Sequence, residues 1–282
     1  MDSLVGKLAI ITGGSSGIGF AAARCLLEDG VRVQLLARRL NVLENARVAL
    51  LNQTGREEGA VGICPVDVTD FPQVKAMIDE IIARAGTPDL LINSAGITYP
   101  GEFMSLDMEV FHSLMEVNYF GTVNLIRAVL PAMLEKKGGH IVNISSVAGF
   151  LGTYGYSAYG ASKYAVRGLS DVLRAELKPK GICVSVVFPP DTQTPQLEWE
   201  EAYKPAITRE LASTAKVMSA EAVAKEILHG IKKRKYLILP GLESKLFYFL
   251  DHLPGNLVYP VMDILIRSAI KKIDRQQVKK NE

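Results

Sequence analysis

Tyr159 and Lys163 lie four residues apart in Tyr159-Gly160-Ala161-Ser162-Lys163, within a stretch of helical character. A phenol and an ammonium so spaced share one helix face, one turn apart. Such a pair can hand a proton to an oxygen that is gaining negative charge. A free phenol, with a pKa near ~10, exchanges protons sluggishly at neutral pH, and a neighbouring cation favours its ionised form. Ser146 ends an apolar, strand-like run and adds a hydroxyl that can hold a carbonyl oxygen against Tyr159. Asn118, in Val117-Asn118-Tyr119-Phe120-Gly121, is polar inside an otherwise apolar helix. It reads as a bend that holds a water in communication with Lys163. By themselves Tyr159 and Lys163 also suit the outer face of an ordinary amphipathic helix. With Ser146 they suit protonation of the alkoxide left when hydride reaches a ketone.

A hydride needs a carrier, and the N-terminal Ile11-Thr12-Gly13-Gly14-Ser15-Ser16-Gly17-Ile18-Gly19 supplies a place for one. The apolar run Leu8–Ile11 precedes it and a helical pattern follows. Strand, glycine turn and helix N-terminus together hold a dinucleotide pyrophosphate. The alternative, a solvent-facing Gly/Ser loop, fits those flanks poorly. Gly13 permits the tight turn, Gly17 lets backbone approach the phosphates, and Gly19 keeps the first helix close to the sheet. Ser15 and Ser16 offer hydroxyls on the adenosine phosphate side. The second strand ends in Leu36-Ala37-Arg38-Arg39, where an acidic residue would select the diphosphate cofactor. A guanidinium suits a 2′-phosphate, so Arg38 and Arg39 favour NADPH, unless they merely solvate the strand end. Asp67, after the third strand, can accept from the adenine amino group or cap the next helix, a task Asp70 performs equally well. Asn93-Ser94-Ala95-Gly96, after the fourth strand, is small enough to pass closely over a ribose, and Asn93 can tie strand ends together.

These residues need strand ends to stand on, and apolar periodicity provides them. Strands are expected at Leu8–Thr12, Val31–Ala37, Gly59–Pro65, Asp89–Asn93, His140–Ser145, Ile182–Phe188 and Tyr236–Leu239. Helices are expected at Ile18–Glu28, Leu40–Leu51, Phe71–Ala85, Met108–Leu134, Tyr159–Glu176 and Glu221–Ile231. Short apolar strands alternating with helices predict an α/β fold, a doubly wound Rossmann-type three-layer sandwich on a seven-stranded, mostly parallel sheet. The 282 residues suit one such domain over 1–240 with an extension over 241–282. A formal charge of +2 is too balanced for a nucleic-acid binder. Cys25, Cys64 and Cys183 are scattered through apolar segments, which suggests buried thiols in a reducing compartment and no metal site. Neither a leader nor a spanning segment is apparent, so a cytoplasmic protein is expected.

The sequence resembles the classical short-chain dehydrogenase/reductase family over about residues 6–240, on the glycine segment, Asp67, Asn93-Ser94-Ala95-Gly96, Asn118, Ser146, Tyr159 and Lys163. The resemblance implies a catalytic tetrad of Asn118, Ser146, Tyr159 and Lys163. It also implies cofactor contacts at Ile18, Val68, Ala95, Gly96, Pro189, Thr192 and Thr194, the threonines near the nicotinamide carboxamide and diphosphate. Where the family usually has Pro-Gly after the sixth strand, this chain has Pro189-Pro190-Asp191-Thr192-Gln193-Thr194-Pro195. That segment looks like the branch that reduces 3-ketosphinganine with NADPH. Other hydrophobic ketones, 3-oxoacyl or steroid-like, are the alternative substrates, and an idle NADPH-binding regulatory protein is the alternative role. A homodimer or homotetramer is expected.

Beyond Pro240-Gly241, the tail holds Leu246-Phe247-Tyr248-Phe249-Leu250, Leu253-Pro254, Leu257-Val258-Tyr259-Pro260-Val261-Met262 and Ile264-Leu265-Ile266. It ends with Lys271, Lys272, Arg275, Lys279 and Lys280. Aromatics beside basic residues suit an interfacial helix on a membrane surface, or else packing over the substrate loop or a subunit interface. Trp199 and Tyr203 are placed on a lid over the substrate, with Glu198, Glu200 and Glu201 on its exposed side.

Overall fold

The computed structural model describes residues 3–213, 216–253 and 258–281, the side chains only as far as 275 within the last helix. Pro254, Leu257 and the side chains of Lys279 and Lys280 lie outside the described residues. The chain alternates β1 (Leu8–Thr12), α1 (Gly17–Glu28), β2 (Arg32–Ala37), α2 (Leu40–Thr54), β3 (Val61–Pro65), α3 (Phe71–Ala85) and β4 (Leu90–Asn93). It continues through α4 (Met108–Leu114), α5 (Gly121–Lys136), β5 (Gly139–Ile144), α6 (Ser157–Leu177) and β6 (Ile182–Val187). A short β7 (Thr192–Gln193), α7 (Pro195–Glu200), α8 (Ala206–Ala212) and β8 (Met218–Ser219) precede α9 (Ala220–Lys232) and β9 (Leu237–Ile238). The helices α10 (Gly241–Asp251) and α11 (Val258–Asn281) follow.

Seven strands form one sheet in the order β3-β2-β1-β4-β5-β6-β9, every pair parallel. The order reverses between β1 and β4, which opens a crevice at their carboxyl ends. Alternation along β1 divides the core: Ala9 and Ile11 face the layer of α1 and α9, Leu8 and Ile10 that of α3 and α5. All five β1 residues are buried, as a strand covered on both faces requires.

The sheet matches the seven strands expected, but two regions differ. The expected single helix Met108–Leu134 is divided by a π-helical stretch, Met115–Phe120, around Asn118. Around it, the Thr122 hydroxyl donates to the Asn118 carbonyl at 2.8 Å, and Gly121 lies so close to Val68 that an added Cβ would be 2.7 Å from it. The segment after β6 carries two helices and the small parallel β7·β8 pair, none of which periodicity revealed. Six- and seven-residue helices are too short to print a clear pattern. The tail helices pack inward through Phe247, Tyr248, Leu250, Val258 and Met262 against Phe150, Leu151 and Phe188. Among the cysteines, Cys25 and Cys64 are buried, whereas Cys183 is half-buried and so differs from expectation.

Candidate active site

The glycine turn is held by both neighbouring strands. Gly13 N–H donates to the Leu36 carbonyl at 2.8 Å, and Thr12 Oγ1 accepts from the amides of Ser94 and Ala95 at 3.0 Å each. Gly13 and Gly17 both have positive φ, at 64° and 54°. A Cβ on Gly13 would stand 2.8 Å from the Ser94 carbonyl, and one on Gly17 would stand 3.0 Å from the Thr194 methyl. Gly19 serves the turn more than the sheet, because its Cβ would fall 2.4 Å from the Gly13 carbonyl oxygen. Side-chain-free backbone and a helix N-terminus therefore form a cradle that a pyrophosphate fits. Ser16 stands at the mouth of α1, and its side chain makes no capping bond.

The bond from Gly13 to Leu36 sets Arg38 and Arg39 just beyond the turn, both exposed. Val66 N–H donates to the Ala37 carbonyl at 2.9 Å, which brings Asp67 to the same rim. Asp70 caps α3, while Asp67 accepts from the Thr69 amide and hydroxyl at 3.0 and 2.8 Å. Val68 is buried in the core against Gly121. Asn93 is buried too: it pairs in register with Asn143 and donates to it at 2.8 Å, the strand tie rather than a cavity wall. Its Oδ1 is buried without a partner.

A cavity of about 470 Å³ opens at these strand ends, walled by Gly13, Ser16, Gly17, Ile18, Ala95 and Gly96 at one end. Ser146, Tyr159, Lys163, Pro189, Thr192 and Thr194 line it as well. Ser15, Gly19, Arg38, Arg39, Asp67, Val68, Asn93 and Asn118 do not reach its wall. The hydroxyls of the two threonines are engaged locally, Thr192 donating to the Pro190 carbonyl and Thr194 capping α7.

Lys163 is buried, and its Nζ donates to the Ile144 carbonyl at 3.1 Å and lies 5.6 Å from the centre of the Tyr159 ring. Gly96 makes room for it, since a Cβ there would sit 3.3 Å from Nζ. Burial lowers its pKa to about 8. The Asn118 side chain is held by direct bonds: Oδ1 accepts from Ile97 N–H at 2.8 Å, and Nδ2 donates to the Ile97 carbonyl and Ser162 Oγ. Burial pushes the Tyr159 phenol above its ordinary range; Ser146 opposes this by hydrogen bonding, and the charges of Glu200 and Asp191 add to it. The bond from Lys163 to the Ile144 carbonyl directs the ammonium there.

The far end of the cavity brings together side chains that the sequence did not assign to substrate contact, Asp191, Glu200, Glu243 and Ser244 among them. Glu200, expected on an exposed side, is buried there: its Oε1 accepts from Tyr156 Oη at 2.9 Å and faces Lys204 Nζ at 3.4 Å. Trp199 points the other way, edge-on to Tyr99 and tilted against Tyr203, outside the cavity. Only the helical turn of α7 decides which neighbour faces inward. Asp191, Glu243 and Ser244 also line this end, with an apolar wall from Leu151, Leu197, Leu246, Phe247, Met262 and Leu265.

A family model for short chain dehydrogenase matches residues 7–203. The chain belongs to the short chain dehydrogenase family. Among curated proteins it is 39% identical to the 3-ketodihydrosphingosine reductase of Bos taurus over 227 residues, 80% of this chain and 68% of that protein. It is 37% identical to the 3-ketodihydrosphingosine reductase of Dictyostelium discoideum over 278 residues, 93% of this chain and 83% of that protein. A short chain dehydrogenase/reductase from Burkholderia phymatum, solved in complex with NAD, superposes with a TM-score of 0.79 at 27% identity, covering 89% of this chain and 95% of that one. As a family member the chain is an oxidoreductase acting between ketone and secondary alcohol.

Proposed function

We propose that this short chain dehydrogenase reduces the 3-keto group of 3-ketosphinganine to the alcohol with NADPH. The observation that supports it is one cavity joining Ser146, Tyr159 and Lys163 to the apolar wall made by α10 and α11, a shape suited to a ketone with a long chain. The cradle of Gly13, Ser16 and Gly17 would hold the pyrophosphate, with Arg38 and Arg39 toward a 2′-phosphate and Asp67 toward the adenine. When bound, the cofactor supplies the hydride. Tyr159 Oη gives its proton to the oxygen that becomes the alkoxide. Ser146 Oγ hydrogen-bonds that oxygen and orients it. Lys163, held by the Ile144 carbonyl, would be the cationic partner of Tyr159 and reach the ribose hydroxyls, with burial lowering its own pKa to about 8. Asn118 fixes the Ile97 and Ser162 segments that flank Lys163.

Residues 241–282 serve the substrate end and meet a membrane's cytoplasmic face. No helix among the described residues is long and apolar enough to cross a bilayer. The outer faces of α10 and α11 expose Leu242, Phe249, Tyr259 and Ile264, with Lys271 and Lys272 beside them. Leu246 and Leu265 are exposed and also line the cavity, which gives an amphiphile a continuous apolar path inward. The assembly is read as a homodimer or homotetramer, which sedimentation of the purified chain measures.

The deciding assay follows NADPH oxidation with 3-ketosphinganine and with 3-oxoacyl thioesters, each with and without anionic vesicles. Preference for the sphingoid ketone is expected, raised by vesicles. Preference for the thioester would overturn the substrate assignment, and indifference to vesicles without co-sedimentation would remove the membrane contact.

A further inference from the structure

The charged groups that line the cavity among the described residues are Lys163, at the catalytic end, and three carboxylates, Asp191, Glu200 and Glu243. The nearby cations are already engaged, Lys204 in part by Glu200 itself. Lys204 is shared between Glu200 at 3.4 Å and Glu201 at 2.9 Å, and Arg209 also pairs with Glu201 at 3.2 Å. Among the described residues, the Asp191 carboxylate makes no hydrogen bond or ion pair within contact distance, and Glu243 accepts only from the Lys216 amide. Burial and the charges of Glu243 and Glu201 hold the Asp191 carboxyl above its ordinary range, opposed by Lys204. Among the described residues, Asp191 and Glu243 are therefore the acids of this partly desolvated wall without an ion-pair partner, a costly arrangement for Asp191 unless a cation enters.

A second, independent feature points into the same space. Ser244, next to Glu243 on α10, is fully buried and lines the cavity, yet its Oγ has no hydrogen-bond partner. A buried hydroxyl left unpaired in a binding cavity suits a ligand's polar group. The acids also lie close to the chemistry: Tyr156, which donates to Glu200, has its ring 5.8 Å from that of Tyr159, and both Asp191 and Glu200 act on the Tyr159 phenol.

We propose that Asp191, with Glu200 behind it, forms a subsite for an ammonium group carried on the carbon next to the reacting carbonyl. This rests on the reading of a sphingoid ketone, whose 2-amino group has that position. A charge-assisted bond to Asp191 would fix the head of the substrate while its chain lies along α10 and α11. The bound cation would also offset the two carboxylates that disfavour charge on Tyr159, so an amino ketone would both bind and react better than its deamino counterpart. Glu243 and Ser244 lie on the same wall and would take the neighbouring hydroxyl.

Two measurements test the subsite. The first compares kcat/KM for 3-ketosphinganine and for 1-hydroxyoctadecan-3-one in the wild type and in Asp191→Asn. A wild-type preference for the amine of about tenfold or more, falling toward unity in the variant, is expected. An equal loss on both ketones, or an unchanged preference, would overturn the proposal. The second titrates the NADP⁺-loaded chain with dodecylammonium or dodecanol and follows the fluorescence of Trp199, the one tryptophan, adjacent to Glu200. Tighter binding of the ammonium, lost in Asp191→Asn, supports the subsite; equal binding of the two by the wild type overturns it. Glu200→Gln serves as a second variant, with the same loss of selectivity expected. If the wild type reduces neither ketone, the substrate reading fails, while the titration still decides whether the wall selects a cation.

Discussion

The two ends of the cavity are built from different material. At the cofactor end the walls are backbone: Gly13 and Gly17 at positive φ, strand ends tied by Thr12, and Gly96 leaving room for Lys163. At the substrate end the walls are side chains drawn from four separate helices, α7, α8, α10 and α11, with carboxylates set among leucines. A pyrophosphate is the same in every turnover, so fixed backbone dipoles can meet it, whereas a substrate must be distinguished by side chains. The first kind of wall tolerates almost no added atom. The second can be altered by exchange of single side chains.

That contrast is tested most severely where the two ends meet. Tyr159→Phe removes the proton donor and leaves the ring, so kcat should fall by about 10²–10⁴-fold with NADPH affinity and melting temperature retained. Full turnover in stopped assays of that variant would refute the role of the phenol. Next in size is the rim of the cofactor end. Arg38→Asp should lower the ratio of kcat/KM with NADPH to that with NADH on the order of 10- to 100-fold, while KM for the ketone hardly moves. A wild type that favours NADH would defeat the arginine argument outright.

The tolerance of the backbone wall can be measured directly. Gly19→Ala forces a Cβ to 2.4 Å from the Gly13 carbonyl and should cost about 1–3 kcal/mol in urea unfolding. Gly152→Ala, with nothing within 4 Å of its added Cβ, should leave the unfolding midpoint nearly unchanged. Equal effects would contradict the contrast drawn between close-packed and open positions.

The smallest effect concerns Lys163. Its pKa is about 8 in the folded chain against an ordinary 10.5, so between these values the unfolded state holds more proton than the native one. Stability of the cofactor-free enzyme should therefore rise with pH through that window, and be less favourable below about 8, where a buried ammonium must be kept charged. Lys163→Met should flatten the slope. Urea midpoints at a series of pH values, wild type against variant, measure the difference; parallel slopes would show that Lys163 is not the group responsible.

How far each end was legible follows from the same physics. The sheet and the glycine cradle are local in sequence: a five-residue apolar strand, a turn needing positive φ and a helix N-terminus lie within twenty residues. Tyr159 and Lys163 are likewise one helical turn apart. Asn118 was visible as a polar residue in an apolar helix, but the π-helical stretch and its bonds to Ile97 and Ser162 were not. Glu200 was misread because three acids within four residues, Glu198, Glu200 and Glu201 around Trp199, look like a solvated face.

The sequence by itself determined the alternation of strands and helices, the cradle, and the spacing of the proton-handling pair, because each depends on residues near one another along the chain. Only the tertiary structure decided which carboxylates face the cavity and that Lys163 turns to Ile144. It also decided that α10 and α11 close the substrate end through Phe247, Val258 and Met262. Those outcomes depend on burial and charge summed over segments far apart along the chain, and no local pattern carries that sum.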